Sequence, residues 1–310
     1  MGQNTQPSTA SGKPVYTTDQ LRALVHPKQK RNLIIALLAC VPVILLFCAI
    51  SIFTNGIFML VVALAVISLW FIRSFVKAQL IGSSARVSPD NFPAIHALAS
   101  DICSRVGFNE PIDIFLVEDG TVNAYLWQLF RTNFLVINSK TVEEMSGSNL
   151  GQIAWIIARF VGAVKAKQTD LVLLRTAVEA TEKAKIFNLF IYPYLRSTQY
   201  SGDQIGLAIG QDLGASIGAL NKLLVGGKLG PDVSISAISA QAHSLRATFF
   251  GWLTTMLSPF PHLVSRHINL LEFARFHYPD FYGNYMEKQT SAERHRIEGC
   301  MPGHYGTFSG

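Results

Sequence analysis

Residues 152–167 read Gln-Ile-Ala-Trp-Ile-Ile-Ala-Arg-Phe-Val-Gly-Ala-Val-Lys-Ala-Lys, and the expected fold is built around this stretch. Its apolar residues, from Ile153 to Val164, recur at the spacing of one helix face, which is typical of a buried helix. Arg159 is the only charged residue before the two closing lysines. The stretch therefore predicts a core helix with an unexpected arginine near its centre.

The composition indicates a membrane segment. Of the 310 residues, 49% are hydrophobic and only 15% are charged, against roughly 25% charged residues in soluble domains. The net charge of +6 is spread along the chain, and no nucleic-acid-binding signature accompanies it. We therefore expect a lipid bilayer as a partner and no nucleic acid.

Two uncharged runs, about residues 33–53 and 57–72, lie within the segment 31–78. Each is close to the roughly 20 residues that a helix needs to cross the hydrocarbon layer. They predict a two-helix transmembrane hairpin, and the alternative is a buried hairpin of a soluble protein.

The charges around these runs predict an orientation. Lys28, Lys30 and Arg31 precede the first run, Arg73 and Lys77 follow the second, and the turn between them carries no charge. The positive-inside rule then places both outer ends in the cytoplasm. We expect an integral protein of the inner or plasma membrane with its main domain in the cytoplasm.

The rest of the chain predicts an α+β fold that is mostly α. Three short runs rich in β-branched and aromatic residues indicate a small antiparallel sheet, and helical patterns surround them. The strands are expected at 112–117, 123–129 and 134–137, and the helices at 90–106, 140–145, 150–167, 171–190, 204–224, 234–257 and 263–276. Residues 1–30 are expected to form a disordered polar tail with a short helix, and residues 287–310 a flexible tail.

Several segments together carry a resemblance to a known family. They are Gly82 to His96, Cys103 to Gly107, Val117 to Tyr125, Phe134 to Ser139, Tyr194 to Gly206 and, more weakly, Pro261 to Arg266. In order and spacing, they resemble the HtpX-like membrane zinc metallopeptidases. The resemblance covers residues 82–276 and implies a zincin-like metallopeptidase domain, and a two-span anchor suits that family.

The same resemblance implies that the catalytic centre has been lost. The family's helix carries His-Glu-x-x-His, with two zinc ligands one turn apart and a general base beside them. At the matching positions this chain has Arg159, Phe160 and Ala163, and Gln199 replaces the later glutamate ligand. Arginine, alanine and phenylalanine offer a metal no donor, and glutamine offers only a neutral oxygen. The resemblance therefore implies a pseudopeptidase without a zinc cofactor or catalytic residues.

No other motif in the sequence indicates a metal or catalytic site. None of the eight histidines has a second histidine at i+4, and no nucleophile elbow or phosphate loop is present. Asp203 matches an aspartate of the family and would lie near the vacated site. We hypothesise that Arg159 reaches Asp203 or Gln199 as a polar tie between two helices; the alternative is an arginine that extends to solvent.

A strand of the cleft is also matched, at Asn123, Ala124 and Tyr125. The resemblance implies that this strand lies at the edge of the cleft and pairs with the substrate main chain. An edge strand offers backbone groups to an extended peptide without any metal. The alternative is a strand kept only for folding.

These observations lead to an expected function. The chain is expected to be a membrane-anchored, inactive homologue that acts as a scaffold or binding partner for membrane proteins or extended polypeptides in membrane-protein quality control. The alternatives are an active zinc metalloendopeptidase with non-standard ligands and an enzyme of unrelated chemistry in the same cleft.

Two aromatic segments, residues 186–192 and 249–253, allow two interpretations. Aromatic stripes usually face a core, so we expect core packing for both. Contact with the membrane is the alternative.

Overall fold

The computed structural model describes residues 8–10, 13–54, 57–110, 112–118, 123–129, 132–145, 150–167 and 185–303. Within these ranges the protein is mostly helical with one small mixed sheet and a separate pair of short strands. The predicted α+β class with mostly α content is confirmed at this level.

The first half of the chain contains the strands and the apolar helices. Its elements are β1 (Ser8–Ala10), β2 (Lys13–Val15), α1 (Thr18–Ala23), α2 (Gln29–Phe53), α3 (Ile57–Ser83), β3 (Ala85–Arg86), α4 (Pro93–Arg105), β4 (Ile112–Val117), β5 (Ala124–Leu129) and β6 (Thr132–Asn138).

The second half is helical. Its elements are α5 (Ser139–Met145), α6 (Gly151–Lys165), α7 (Lys185–Gly210), α8 (Leu213–Val225), α9 (Ile235–Ala247), α10 (Phe249–Leu257), α11 (Leu263–His277), α12 (Pro279–Met286) and α13 (Ser291–Gly299), with a 3-10 turn at Gly230–Asp232.

The four-stranded sheet has the order β3-β4-β6-β5, which corrects the predicted antiparallel sheet. Strands β4 and β6 run parallel, with Ile114 opposite Leu135, whereas β3–β4 and β5–β6 are antiparallel. Strand β6 lies between β4 and β5, so β5 lies at the edge of the described sheet.

Helix α6 lies at the centre of the helical core, as residues 152–167 predicted. Ile153, Ile156, Ile157 and Val161 are almost completely buried. The helix packs along α7 and also contacts α4 and α8. The approach to α7 is very close because Gly162 has no side chain at the point where it meets Ile205.

Helix α2 is the one described helix that is long and apolar enough to cross a membrane, judged by length and composition. Most of its described side chains beyond the first turns are exposed, among them Ile44 and Leu45. The apolar part of α3, Ile57–Ile72, is shorter. Residues 55–56, between the two helices, lie outside the described ranges, and the two-span hairpin stays a prediction.

The first turns of α2 pack against the main domain. Ala36 is buried with Ile191 and Tyr194 of α7, and the Asn32 side-chain amide donates a hydrogen bond to the Pro193 carbonyl at 3.1 Å. The apolar helix therefore leaves the domain beside the N-terminal half of α7.

Two predictions for the ends of the chain are corrected. The predicted flexible tail, 287–310, contains α13, because Thr290 and Glu293 form a capping box and Ile297 is fully buried. The predicted polar tail, 1–30, contains paired strands β1 and β2 as well as the expected helix α1. Most of the predicted helix 171–190 lies outside the described ranges.

Two predicted helices are each divided in two. The helix predicted at 204–224 is broken between α7 and α8, where Gln211 has a positive φ of 57° and Asp212 caps the next helix. The helix predicted at 234–257 is broken at Thr248, whose hydroxyl caps α10.

We expect Gly162→Ala to destabilise the fold. A β-carbon there would lie 2.2 Å from Ile205 Cγ2, far inside van der Waals contact, and overpacking of this kind costs about 1–3 kcal/mol. Gly283→Ala in α12 is the matched control, because a β-carbon there meets nothing within 4 Å and alanine favours a helix. Chemical denaturation in detergent measures both. Equal free energies of unfolding for the two variants would contradict the close packing of α6 and α7.

Candidate functional site

The candidate site is a buried cluster of charged side chains from three helices. Arg159 comes from α6, Gln199 and Asp203 come from α7, and Arg266 comes from α11. Asp203 is only 1% exposed, and both arginines are also buried. Burying charges of this kind costs free energy unless they are paired, so the contacts among them decide whether the three helices can pack.

Asp203 forms ion pairs with both arginines. Arg266 binds it in a two-point geometry, with Nε 2.7 Å from Oδ2 and Nη2 2.8 Å from Oδ1. Arg159 adds a contact from the other side, with Nε 3.1 Å from Oδ1. Two-point arginine–carboxylate pairs are the strong, geometrically specific form of this interaction. Both carboxylate oxygens are therefore engaged by guanidinium groups.

Arg159 also donates a hydrogen bond from Nη2 to the Gln199 Oε1. The hypothesis that Arg159 reaches Asp203 or Gln199 is confirmed, and the structure has both contacts. The alternative of an arginine that extends to solvent is wrong, because its side chain is only 10% exposed.

Two glycines of α7 make room for the Arg159 side chain. A β-carbon at Gly202 would lie 3.3 Å from Arg159 Cγ and Nε, and one at Gly206 would lie 3.1 Å from Arg159 Cβ. Trp155 covers the same groove, with its Nε1 3.2 Å from the Asp203 carbonyl oxygen, to which it donates. The arginine therefore lies in a groove that the sequence of α7 leaves open.

The electrostatics of the cluster keep Arg159 charged at neutral pH. Burial, and to a smaller extent the nearby Arg266 guanidinium, lower the pKa of Arg159, Asp203 opposes the shift, and the resulting pKa is about 10. One carboxylate thus faces two guanidinium groups, and the cluster formed by these three side chains carries a net positive charge.

This donor set does not fit a zinc ion. A guanidinium has no lone pair for a metal and repels a cation. The one carboxylate is already paired with two arginines, and Gln199 Oε1 already accepts a hydrogen bond from Arg159. Among the residues that the structure describes, no group of three or more His, Cys, Asp or Glu side chains is placed to hold a metal.

The other predicted site residues lie around the cluster. Phe160 is half-buried, with its ring centre 5.2 Å from the Arg159 guanidinium carbon, and Ala163 is one turn further along α6. Neither side chain has an acidic, basic or metal-binding group. At the positions where the resemblance expects ligands and a base, α6 therefore presents one cation, one ring and one methyl group.

The matched edge segment lies beside α6, at the start of β5. The Asn123 carbonyl accepts from the Asn138 amide at 3.0 Å and from the Thr141 hydroxyl at 2.9 Å. Ala124 packs against the core, whereas Tyr125 is 42% exposed. The strand therefore turns one face inward and the other to the surface.

The sequence reasoning missed Arg266 as a member of the cluster. Its segment, Pro261 to Arg266, had been recognised only as the weakest part of the resemblance. The available signal was the helical spacing of Arg266 with Leu263, Leu270 and Phe273, because a charged side chain on a buried apolar face needs a partner. Gln204 and Asn269, whose side chains hydrogen-bond at 2.8 Å, extend this polar contact between α7 and α11.

A separate surface cleft of about 690 Å³ lies between the end of α3 and the sheet. Its lining includes Ser84, Leu116, Glu118 and Ser139. It shares no residue with the arginine–aspartate cluster, so the cluster is a packed interior and not the floor of this cleft.

Comparison with known proteins identifies no relative. No protein family model matches the chain, and neither a curated protein nor a solved structure matches it. The resemblance to HtpX-like peptidases and the zincin-like fold therefore stay predictions.

We expect Asp203→Asn to destabilise the domain strongly. The substitution keeps the shape of the side chain but leaves two buried guanidinium groups without a counter-charge, and breaking a buried pair in this way costs about 3–5 kcal/mol. Asp113→Asn is the matched control, because its partner Arg86 is exposed and surface ion pairs are worth about 0–1 kcal/mol. Thermal and chemical unfolding measure both variants. An Asp203→Asn protein as stable as the control would show that the cluster does not hold the helices together.

Proposed function

We propose that the protein is a membrane-anchored, catalytically inactive metallopeptidase homologue that binds polypeptides as a scaffold. The observation that carries this proposal is the position of Arg159 between Gln199 and Asp203. At the position where the resemblance expects the first zinc ligand, a cation contacts the residue expected to be the last ligand. A buried ion pair can hold two helices in the arrangement that a metal would otherwise hold.

The proposed anchor is α2, with α3 as the second span. Support comes from the length and exposed apolar surface of α2 and from the positive charges that precede it. In this proposal the main domain lies on the cytoplasmic side of an inner or plasma membrane, and the protein contributes to membrane-protein quality control. The process assignment rests on the resemblance alone.

The proposed polypeptide site is the outer edge of β5. Among the described strands, β5 pairs with β6 on one side, and its other side is the edge of the sheet. An edge strand can add an extended peptide as a further strand. Binding of this kind requires no metal, so it is compatible with the charged cluster in α6 and α7.

Metal analysis tests the loss of catalysis. We expect the purified protein to contain far less than one zinc per chain and not to cleave casein, because Arg159 supplies a charge and no lone pair. A variant that combines Arg159→His, Phe160→Glu, Ala163→His and Gln199→Glu is expected to bind zinc if α6 and α7 keep the arrangement of the family.

The matched control for this variant replaces the same positions with similar side chains that are poor zinc ligands: Arg159→Asn, Phe160→Gln and Ala163→Asn, with Gln199 unchanged. Stoichiometric zinc in the unmodified protein, together with chelator-sensitive casein cleavage, would favour the active peptidase with non-standard ligands. Equal zinc contents in the quadruple variant and its control would contradict the family arrangement.

Photocrosslinking tests the proposed peptide edge. A photoreactive phenylalanine analogue at Tyr125 is expected to crosslink unfolded casein without cleaving it, because this side chain projects from the edge strand. Phe276, another exposed aromatic residue, is the control position and should give little product. Equal labelling from both positions would mean that β5 has no special role in binding.

A further inference from the structure

Helix α10 exposes an aromatic surface that was expected to lie in the core. Phe249, Phe250 and Trp252 are 66%, 74% and 53% exposed, and Leu257 and Phe260 are also exposed. The rings of Phe249 and Phe250 lie 5.5 Å apart and those of Phe249 and Trp252 lie 5.9 Å apart, so the residues form one patch. Contiguous exposed apolar patches mark contact surfaces, and the core assignment for residues 249–253 is wrong.

The patch is held rigidly at the end of α9. The Thr248 hydroxyl accepts a hydrogen bond from the Gly251 amide at 3.2 Å and caps α10. A β-carbon at Gly251 would lie 1.9 Å from the Leu245 carbonyl oxygen, so only glycine allows this close turn. The exposed rings therefore have a fixed direction relative to the domain.

The C-terminal end of α10 contacts α7 close to the point where the first turns of α2, its root, contact α7. Arg196 of α7 donates a hydrogen bond to the Ser258 carbonyl at 2.6 Å, just after α10. Three residues earlier, the Pro193 carbonyl accepts from Asn32 of α2. At a rise of about 1.5 Å per residue, these two contacts are separated by about 4.5 Å along the helix. The end of α10 and the start of α2 therefore contact α7 at nearly the same position along its axis.

The chemistry of the patch fits the boundary of a bilayer. Trp and Phe are typical of the membrane–water interface. No acidic residue occurs from 233 to 271, so no nearby carboxylate in the sequence repels anionic headgroups. From Ile34 onward, the exposed side chains described in α2 are apolar, which places the expected membrane surface beside the contact of α2 with α7 at Asn32.

We propose that α10 lies in the interface of the bilayer that α2 crosses, with Phe249, Phe250 and Trp252 inserted at the level of the headgroups. This inference rests on the proposed membrane anchor. The main domain would then be held to the membrane at two points, the root of α2 and the aromatic patch, and its orientation on the surface would be fixed.

Depth measurements on the full-length protein in vesicles test the inference. Cys40, Cys48, Cys103 and Cys300 are replaced by alanine, and single cysteines are introduced by Phe250→Cys, Leu46→Cys or Ser100→Cys. Each is labelled with a polarity-sensitive fluorophore. The vesicles contain phosphatidylcholine and phosphatidylglycerol, with or without a phospholipid that carries a nitroxide near the headgroup end of its chain.

Ser100 is the control because α4 meets the opposite end of α7, where Arg105 donates to the Ile209 carbonyl. That contact is thirteen residues beyond Arg196, or about 20 Å. We expect blue-shifted emission and at least about twofold quenching by the nitroxide at position 250, and neither effect at position 100. Position 46 reports on α2 alone.

Three results would overturn the inference. If position 46 is quenched and position 250 behaves like position 100, the anchor is correct and the placement of α10 is wrong. A blue shift at 250 without quenching would mean that a protein, such as a second copy of the chain, covers the patch. If position 46 is not quenched, the membrane anchor itself is wrong and the inference fails with it.

Discussion

The pairing of Asp203 with two arginines is the interaction on which the packing of the described domain depends. Helices α6, α7 and α11 each contribute one charged side chain to a region from which water is excluded. Without the carboxylate, Arg159 and Arg266 would be two buried like charges, and the three helices would separate or admit water. The cluster therefore sets the geometry of the core and not only its stability.

The close approach of α6 and α7 makes this pairing possible. Gly162 on α6 faces Ile205, and Gly202 and Gly206 on α7 face Arg159. Backbones that approach this closely bring the guanidinium into hydrogen-bonding distance of the carboxylate, and the stem of the arginine fills the remaining groove. The small residues and the charged residues consequently depend on each other, because larger side chains at the glycines would push the arginine away from its partners.

In the proposed function, these features describe a peptidase scaffold that has kept its helix packing after exchanging its metal for an ion pair. The edge strand β5 would then bind extended polypeptides, and the exposed patch on α10 would bind the bilayer. A domain fixed on the membrane at two points would present its sheet edge in a constant direction. That arrangement suits a scaffold for membrane proteins, which must meet its partners at a defined height above the lipid.

Much of the fold could be predicted because its signals are local. The 3.6-residue pattern from Ile153 to Val164 predicts α6, and the long uncharged run predicts α2. The order of the strands could not be predicted, because the insertion of β6 between β4 and β5 depends on contacts distant in sequence. The tail helix α13 was missed because its sequence is polar, and a capping box and one buried isoleucine are weak signals in such a sequence.

Some residues of the candidate site could be predicted from the sequence and others could not. The contacts of Arg159 could be anticipated from an arginine in an apolar helix and an aspartate in the segment matched to the family. Arg266 could not be assigned, because nothing in the sequence states which acid a buried arginine meets. The exposed aromatic residues of α10 were assigned to the core, since the sequence gives their spacing but not which side of the helix remains uncovered.

A double-mutant cycle between Arg159 and Asp203 tests the central claim most directly. Free energies of unfolding are measured for the unmodified protein, Arg159→Gln, Asp203→Asn and the double variant, with the exposed pair Arg86 and Asp113 as a reference cycle. Direct pairing in the core predicts a coupling free energy of about 1–3 kcal/mol, well above that of the reference pair. Additive effects, with a coupling no larger than the reference, would contradict the claim that this ion pair joins the central helices.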